Sequence, residues 1–147
     1  PAVPWTGFIH GPTGTGKTTE LVLSTRRLVG QGWRCLYGTT SEILERLRPD
    51  GGWSVAQMVE LDFLAIDELG RDSLTPWGRD TLVQVLDGRI DARKRRPTLL
   101  ASNLDLADLC VASGLGARIA ERIAVGCGGT GHVCRTWSYR LGKEVRS

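Results

Sequence analysis

Short apolar runs alternate along the chain with longer stretches of helical periodicity. The first run, TGFIH at 6–10, precedes a glycine-rich segment and a helix predicted from about Thr18 to Val29, which ends at Gly30. WRCLYG at 33–38 then predicts a second strand. Regular alternation of strand and helix is typical of a parallel sheet with helices packed on it.

The middle of the chain continues the alternation. Ser41 is expected to cap a short helix, SEILERL, and a weaker helical segment spans about Val55 to Glu60. Residues 61–66 are nearly all apolar, which predicts a strand covered on both faces. Pro76 stands near the first position of the longest predicted helix. In that helix apolar residues recur at helical spacing, at Leu82, Val85, Leu86 and Ile90.

The last third predicts two further strands and two further helices. TLLAS at 98–102 is a buried-strand pattern, and helices are expected near 106–111 and 115–125. HVCRTWSY at 132–139 predicts the final strand. The whole pattern therefore predicts a three-layer α/β domain with a five-stranded parallel sheet, formed as a single domain over 1–147.

Composition places the chain among ordinary globular domains. It has 147 residues, of which 41% are hydrophobic and 24% charged, and a net charge of +3 that is compatible with nucleic-acid binding without demonstrating it. No apolar run approaches the ~20 residues of a membrane span, so no membrane association is expected. Four cysteines in a chain of this size favour reduced thiols and a cytoplasmic location.

The segment GPTGTGKT at 11–18 fits the phosphate-loop pattern G-x-x-x-x-G-K-[ST] between a strand and a helix. Glycines let successive amides turn toward a phosphate, and the helix presents its positive dipole end to it. Lys17 is expected to contact the β- and γ-phosphates and act in catalysis, while Thr18 ligates Mg²⁺. The predicted ATP-binding residues are Gly11, Pro12, Thr13, Gly14, Thr15, Gly16, Lys17, Thr18 and Thr19.

An acidic pair follows the apolar strand predicted in the middle of the chain. In FLAIDE, Asp67 comes after four apolar residues and Glu68 follows at once, so the acid strand spans 61–68. A carboxylate at a strand end is what a phosphate-loop enzyme uses to hold hydrated Mg²⁺, which assigns Asp67 to the metal. Glu68 is expected to orient or deprotonate a water, and a base beside the nucleotide suggests hydrolysis.

Two family resemblances compete. GPTGTGKTTEL, followed by RRL and WRCLY, is similar to the opening of thymidine kinases over about a third of the chain, although no four-cysteine zinc segment follows. The second half instead resembles the AAA+ ATPases of the bacterial helicase-loader group, which includes DnaC, DnaI and IstB. LVQVLDGRIDARKRRPTLLASNLDL, then LGARIAERI, then WSYR carry that resemblance in order. Together with the phosphate loop it covers nearly the whole chain.

The AAA+ resemblance implies roles for three more residues. Asn103, at the end of the sensor strand 98–103, matches the polar residue that contacts the γ-phosphate or the attacking water. Arg122, in the helix 115–125, matches the arginine finger that reaches the ATP of the neighbouring subunit. Arg118 lies one turn earlier on the same face and is the second candidate for nucleotide contact. Because few residues follow the WSYR ending, the resemblance implies an ATPase core without a helical lid.

The implied function is an ATP- and Mg²⁺-dependent ATPase that self-associates and loads a replicative helicase onto single-stranded DNA. An IstB-type transposition ATPase, a thymidine or deoxynucleoside kinase, and a nucleotide-binding switch with little turnover remain open. The basic run at 93–96 has two interpretations. Its cations complement the dipole at the end of the long helix, or they contact nucleic-acid phosphates.

Overall fold

The computed structural model describes residues 6–90, 96–111, 116–127, 136–138 and 143–145. The elements in chain order are β1 (Thr6–His10), α1 (Lys17–Gly30), β2 (Cys35–Thr39), α2 (Thr40–Leu47), α3 (Val55–Glu60), β3 (Phe63–Leu69), α4 (Pro76–Ile90), β4 (Thr98–Ser102), α5 (Leu106–Val111), α6 (Gly116–Gly126), β5 (Thr136–Ser138) and β6 (Lys143–Val145). These bounds agree with the predicted alternation to within a few residues. None of the helices in this part of the chain is long and apolar enough to cross a membrane.

The main sheet has four parallel strands in the order β1-β4-β3-β2. Registers align His10 with Ser102 across β1 and β4, and Thr39 with Asp67 across β2 and β3. Parallel strands end at the same edge of a sheet, so the segments that follow β1, β3 and β4 meet there. The phosphate loop, the acidic pair and Asn103 therefore share one edge, as ligand sites in open α/β sheets do.

The predicted five-stranded parallel sheet differs from the observed one. Of the expected last strand, 132–139, only 136–138 are described, and this β5 pairs antiparallel with β6 in a separate two-stranded sheet. Side-chain alternation identifies a strand without identifying its partner. A segment only a few residues along the chain is the partner whose pairing closes the shortest loop and loses the least entropy.

The junction between β2 and α2 was predicted with the wrong cap. Ser41 was expected to cap α2, whereas Thr39 does so in a reciprocal capping box with Glu42. The Glu42 amide donates to Thr39 Oγ1 at 3.2 Å, and the Thr39 amide donates to Glu42 Oε2 at 3.2 Å. The S/T-x-x-E spacing starts at Thr39, so the box selects that residue. α2 consequently begins directly at the end of β2.

The core lies on both faces of β3. Leu64, Ala65 and Ile66 are fully buried, which confirms the strand predicted from this apolar run. One face packs against α2, α3, α4 and α6, and the other packs against α1. A strand enclosed in this way holds its terminal residues at fixed positions, because interiors pack as densely as organic crystals.

A buried arginine links α3, α4 and β4. The Arg89 side chain on α4 is 1% exposed. Its guanidinium donates to Met58 O, Val59 O, Leu61 O, Pro97 O and Thr98 Oγ1 at 2.7–3.0 Å. Burial, together with the charge of Arg96, lowers the pKa of Arg89 to about 10, and Asp62 opposes this shift. The side chain therefore remains a cation at neutral pH and satisfies the carbonyls at the end of α3.

We expect Arg89→Met to destabilise the domain strongly. The substitution keeps an apolar stem but leaves buried carbonyl oxygens without donors, each worth about 1–3 kcal/mol. The free energy of unfolding, measured by urea denaturation, should fall by at least about 3 kcal/mol, or the variant should fail to fold. Arg26→Met, on the exposed face of α1, should change the free energy of unfolding by less than about 0.5 kcal/mol. Similar stability of the two variants would contradict this account of Arg89.

Candidate nucleotide-binding site

Glycines shape the loop between β1 and α1. Gly14 and Gly16 have φ angles of 87° and 85°, a region that L-residues with side chains rarely adopt. Gly16 is the N-cap of α1 and provides no side-chain cap. The first amides of α1 therefore lack a capping partner from that residue and are available to an anion. This is the backbone geometry that a phosphate loop requires.

Lys17 lies under the loop. Its Nζ donates to Gly11 O at 2.6 Å, to Pro12 O at 2.8 Å and to Thr15 Oγ1 at 3.1 Å. The side chain is buried. Burial lowers the pKa of Lys17, while the charge of Asp67 acts in the opposite direction. The ammonium is thus held beside the loop and the acid strand, where a bound phosphate would meet it.

The Asp67 carboxylate, at the end of β3, accepts hydrogen bonds from three groups. Thr18 Oγ1 donates to its Oδ2 at 2.7 Å, and the Tyr37 hydroxyl donates to the same oxygen at 2.8 Å. The Glu68 amide donates to Oδ1 at 2.8 Å. Burial and Asp67 raise the pKa of the Tyr37 phenol, so this donor is protonated at neutral pH. Asp67 is 3% exposed, and its carboxylate is fixed by these contacts.

The predicted metal ligands fit a magnesium ion. Thr18 and Asp67 place a hydroxyl and a carboxylate oxygen in direct contact beside the phosphate loop. Mg²⁺ prefers oxygen ligands, keeps several waters and is bound through one or two protein groups plus substrate phosphates. Within the described ranges no group of three or more His, Cys, Asp and Glu residues could hold a metal by itself. A site that is completed by the nucleotide matches this ligand set.

Glu68 has an unusual backbone and a cationic neighbour. Its φ of 55° places a non-glycine residue in the left-handed region, at a register irregularity between Ile66 and Leu69. Such a conformation is unfavourable by about 1–3 kcal/mol and clusters at functional sites. Glu68 Oε2 pairs with Arg71 Nη1 at 2.8 Å. The carboxylate is therefore engaged by Arg71 in this structure.

The end of β4 contacts both the loop and the turn after β3. Asn103 Nδ2 donates to Thr13 Oγ1 at 3.4 Å, which brings the predicted sensor residue to the phosphate loop. The Ser102 hydroxyl donates to Leu69 O at 2.5 Å and accepts from the Leu104 amide at 3.0 Å. Ser102 thereby joins the acidic turn to the segment that carries Asn103.

These groups line a cleft of about 710 Å³. Its walls are Thr13, Gly14, Gly16, Lys17, Thr18, Thr19, Asp67, Glu68, Leu69, Gly70, Arg71, Ser102, Asn103 and Leu104. The structure thus brings together Lys17, Thr18, Asp67, Glu68 and Asn103, which the sequence placed in one site. A volume within ~300–1,000 Å³ is typical of small-molecule sites.

The two arginines predicted on α6 lie outside the cleft. Arg122 pairs with Asp87, and Arg118 Nη1 lies 3.7 Å from Asp80 Oδ1. Both acids belong to α4, so the arginines lie along the α4–α6 boundary. Neither arginine lines the cleft of its own chain.

Sequence reasoning did not identify Tyr37, Arg71 or Ser102 as parts of the site. Arg71 lies three residues after Glu68, and this i,i+3 spacing is a local signal that could have indicated the ion pair. Ser102 and Tyr37 act across strands, and their contacts follow only from the sheet register.

A curated relative of this chain is an insertion-sequence protein. The chain is 35% identical over 102 residues to a protein named as an ATP-binding protein of insertion sequence IS1162 from Pseudomonas fluorescens. The match covers 66% of this chain and 43% of the relative. The chain thus spans less than half the length of that protein.

Solved structures share the fold. The DnaI structure is 25% identical with a TM-score of 0.65, and the match covers 83% of this chain and 69% of that one. The DnaC helicase loader has 23% identity and a TM-score of 0.67, with coverages of 80% and 72%. The replication initiator DnaA, bound to AMPPCP and single-stranded DNA, has 18% identity and a TM-score of 0.67, with coverages of 80% and 37%. These likenesses establish an AAA+ phosphate-loop fold.

The family model described as IstB-like ATP binding protein matches residues 8–117. This range includes the phosphate loop, the acid strand and the sensor strand. It confirms the resemblance to the helicase-loader group, of which IstB-type ATPases are members. The chain belongs to the IstB-like ATP-binding protein family.

Proposed function

We propose that this domain hydrolyses ATP to ADP and phosphate, with Mg²⁺ as the cofactor. One observation carries the proposal: Lys17, the Thr18–Asp67 pair and Glu68 line the same cleft at the carboxyl edge of the sheet. Phosphoryl transfer to water requires a group that neutralises phosphate charge, a divalent cation and a carboxylate that activates the water. The family assignment supports ATP as the nucleotide.

Each residue has a distinct task in the proposed reaction. The loop amides and Lys17 bind the phosphates, and Thr18 and Asp67 would hold the magnesium ion. When bound there, the ion would neutralise phosphate charge. Glu68 accepts a proton from water as the water oxygen bonds to the γ-phosphorus, and the bridging oxygen leaves with ADP. Asn103, hydrogen-bonded to the loop, orients the γ-phosphate or the water.

Arg122 acts on a neighbouring copy in this proposal. The guanidinium lies outside its own cleft, on the partly exposed α4–α6 boundary, where Asp87 and Glu121 are its acidic neighbours among the described residues. A cation that stabilises transition-state charge must touch the phosphate, so its target is the cleft of another subunit. Arg118, with its side chain 64% exposed, is the second residue available for that contact.

For the biological role we infer an ATPase that serves insertion-sequence transposition. The supporting observation is the 35% identity with an ATP-binding protein of an insertion sequence, within the IstB-like family. Transposon insertion occurs into duplex DNA. The role therefore implies that duplex DNA, together with self-association, stimulates hydrolysis.

Loading of a replicative helicase is the second candidate. Its support is the likeness to DnaI at 25% identity and to the DnaC helicase loader in fold. This role implies stimulation by single-stranded DNA and by a helicase, because a loader places the helicase ring on an unpaired strand. Phosphate release measured with duplex DNA, single-stranded DNA and no DNA separates the two roles.

Replacing Lys17 by Ala should weaken ATP binding. The substitution removes a buried cation beside the phosphates, and hydrogen bonds to charged groups contribute about 1.5–3 kcal/mol. Calorimetry should therefore give an ATP affinity about 10- to 100-fold lower. Arg26→Ala, on the exposed face of α1, should leave the ATP affinity unchanged. Equal affinities of the Lys17 variant and the wild type would contradict the proposed phosphate site.

Glu68→Gln should retain ATP binding and lose turnover. The amide keeps the size of the side chain but does not accept a proton from water, so phosphate release should fall by about 10²- to 10⁴-fold. The same assay on the wild-type protein, with thymidine added, tests the kinase alternative. Thymidine monophosphate among the products would establish kinase activity, and ATP binding without phosphate release under any condition would indicate a switch. Normal turnover by the glutamine variant would refute the role of Glu68.

Arg122→Ala should abolish the part of the turnover that depends on protein concentration. An arginine finger contributes about 10³- to 10⁵-fold in rate, and here it comes from another copy. Asp87→Asn is the matched control, because it breaks the same ion pair but retains the guanidinium. Phosphate release should therefore rise with protein concentration in the wild type and in Asp87→Asn, and not in Arg122→Ala. Loss of activity in both variants would indicate that the ion pair acts structurally.

A further inference from the structure

Tyr37 contacts the predicted magnesium ligand from outside the nucleotide cleft. Its hydroxyl donates to Asp67 Oδ2 at 2.8 Å, while the Tyr37 side chain is absent from the cleft lining. Tyr37 stands on β2, opposite Ala65 of β3 and two residues before the position opposite Asp67. We therefore expect this tyrosine to act on a bound nucleotide through Asp67.

The carboxylate is held from three elements of the fold. Thr18 belongs to α1, Tyr37 to β2 and Glu68 to β3. Two of the donors act on Oδ2 and one acts on Oδ1, which opposes rotation about the Cβ–Cγ bond.

With a metal bound, Thr18 and Tyr37 would differ in their availability as hydrogen-bond donors to Asp67. The Thr18 hydroxyl is itself a proposed magnesium ligand, so the ion and Asp67 would share it. The Glu68 amide belongs to the residue whose backbone is in the left-handed region. Tyr37 is the donor with no other role in the site. Its ring packs against a buried cluster formed by Leu21, Phe63, Ala65 and Ala101.

We propose that Tyr37 is a positioning residue for magnesium, whose hydroxyl orients the Asp67 carboxylate toward the ion. The inference rests on the proposed function, because it takes Thr18 and Asp67 as the magnesium site. Partners that orient metal-binding carboxylates are a recurring part of metal sites, and their loss weakens metal affinity by about 10- to 100-fold. Tyr37 does so without touching nucleotide.

Tyr37→Phe is the direct test, because it removes the hydroxyl and keeps the ring in the core. Binding of AMPPCP, an ATP analogue, is measured by calorimetry across a Mg²⁺ titration and again in EDTA. The variant should require about 10-fold more Mg²⁺ for half-maximal tightening of AMPPCP binding. Its affinity in EDTA should equal that of the wild type, because no direct nucleotide contact is lost.

Thr40→Val is the matched control. The Thr40 hydroxyl donates to the main-chain oxygen of Asp67 at 3.0 Å, so this variant also removes one hydroxyl contact to the same residue. It leaves the three donors to the carboxylate in place. Thr40→Val should lower the melting temperature without changing the Mg²⁺ requirement.

The possible results distinguish the role of Tyr37 from the magnesium site itself. An unchanged Mg²⁺ requirement in Tyr37→Phe overturns the inference, as does an equal change in Thr40→Val or a loss of affinity in EDTA. Wild-type protein that binds AMPPCP with Mg²⁺-dependent affinity supports the proposed magnesium site independently of the tyrosine result. Wild-type protein whose binding ignores Mg²⁺ overturns that site and the inference together.

Discussion

Parallel pairing of β3 with both of its neighbours is the constraint on which the site depends. β2 and β4 hydrogen-bond to β3 on either side, and helices cover both of its faces. Side chains alternate between the faces of a strand, so a slip of one residue would turn Asp67 away from Thr18 and Tyr37. The fully buried Leu64, Ala65 and Ile66 oppose such a slip.

The opposite end of β3 is fixed by cations. Arg34, Arg89 and Arg96 donate to main-chain oxygens of α3 and of the residue that follows it. These oxygens are the carbonyls that a helix leaves unsatisfied at its C-terminus. Positive side chains also complement the negative end of the helix dipole. β3 therefore starts at a point anchored by guanidinium groups and ends at a carboxylate anchored by hydroxyl and amide donors.

Local motifs made most of this arrangement predictable from the sequence. The phosphate loop is contiguous, and the acidic pair follows directly on an apolar strand, so neither needed knowledge of the fold. Tyr37 reaches Asp67 across 30 positions, and Arg89 reaches α3 across a similar separation. Such contacts depend on register and helix packing, which composition and periodicity leave undetermined.

The structure also bears on the predicted strand count and on the basic run. The described main sheet has four strands rather than the five expected, because β5 pairs with β6. In the basic run at 93–96, Arg96 pairs with Glu60 at 2.8 Å and contacts Val59 O, so this cation acts within the domain. Arg93, Lys94 and Arg95 lie outside the described residues, and their two interpretations stay open. The roles of Arg118 and Arg122 also stay predictions, because a subunit contact requires a second chain.

The pairing of Glu68 with Arg71 has a consequence for the binding of an anion. Both side chains are substantially exposed, at 40% and 63%, and ion pairs between exposed groups contribute at most about 1 kcal/mol. A polyanion entering the cleft competes for the same guanidinium with several charges instead of one. The Glu68–Arg71 pair is weak enough for such an anion to displace. The charge that arrives with a polyanion would thus release the carboxylate that we propose as the proton acceptor.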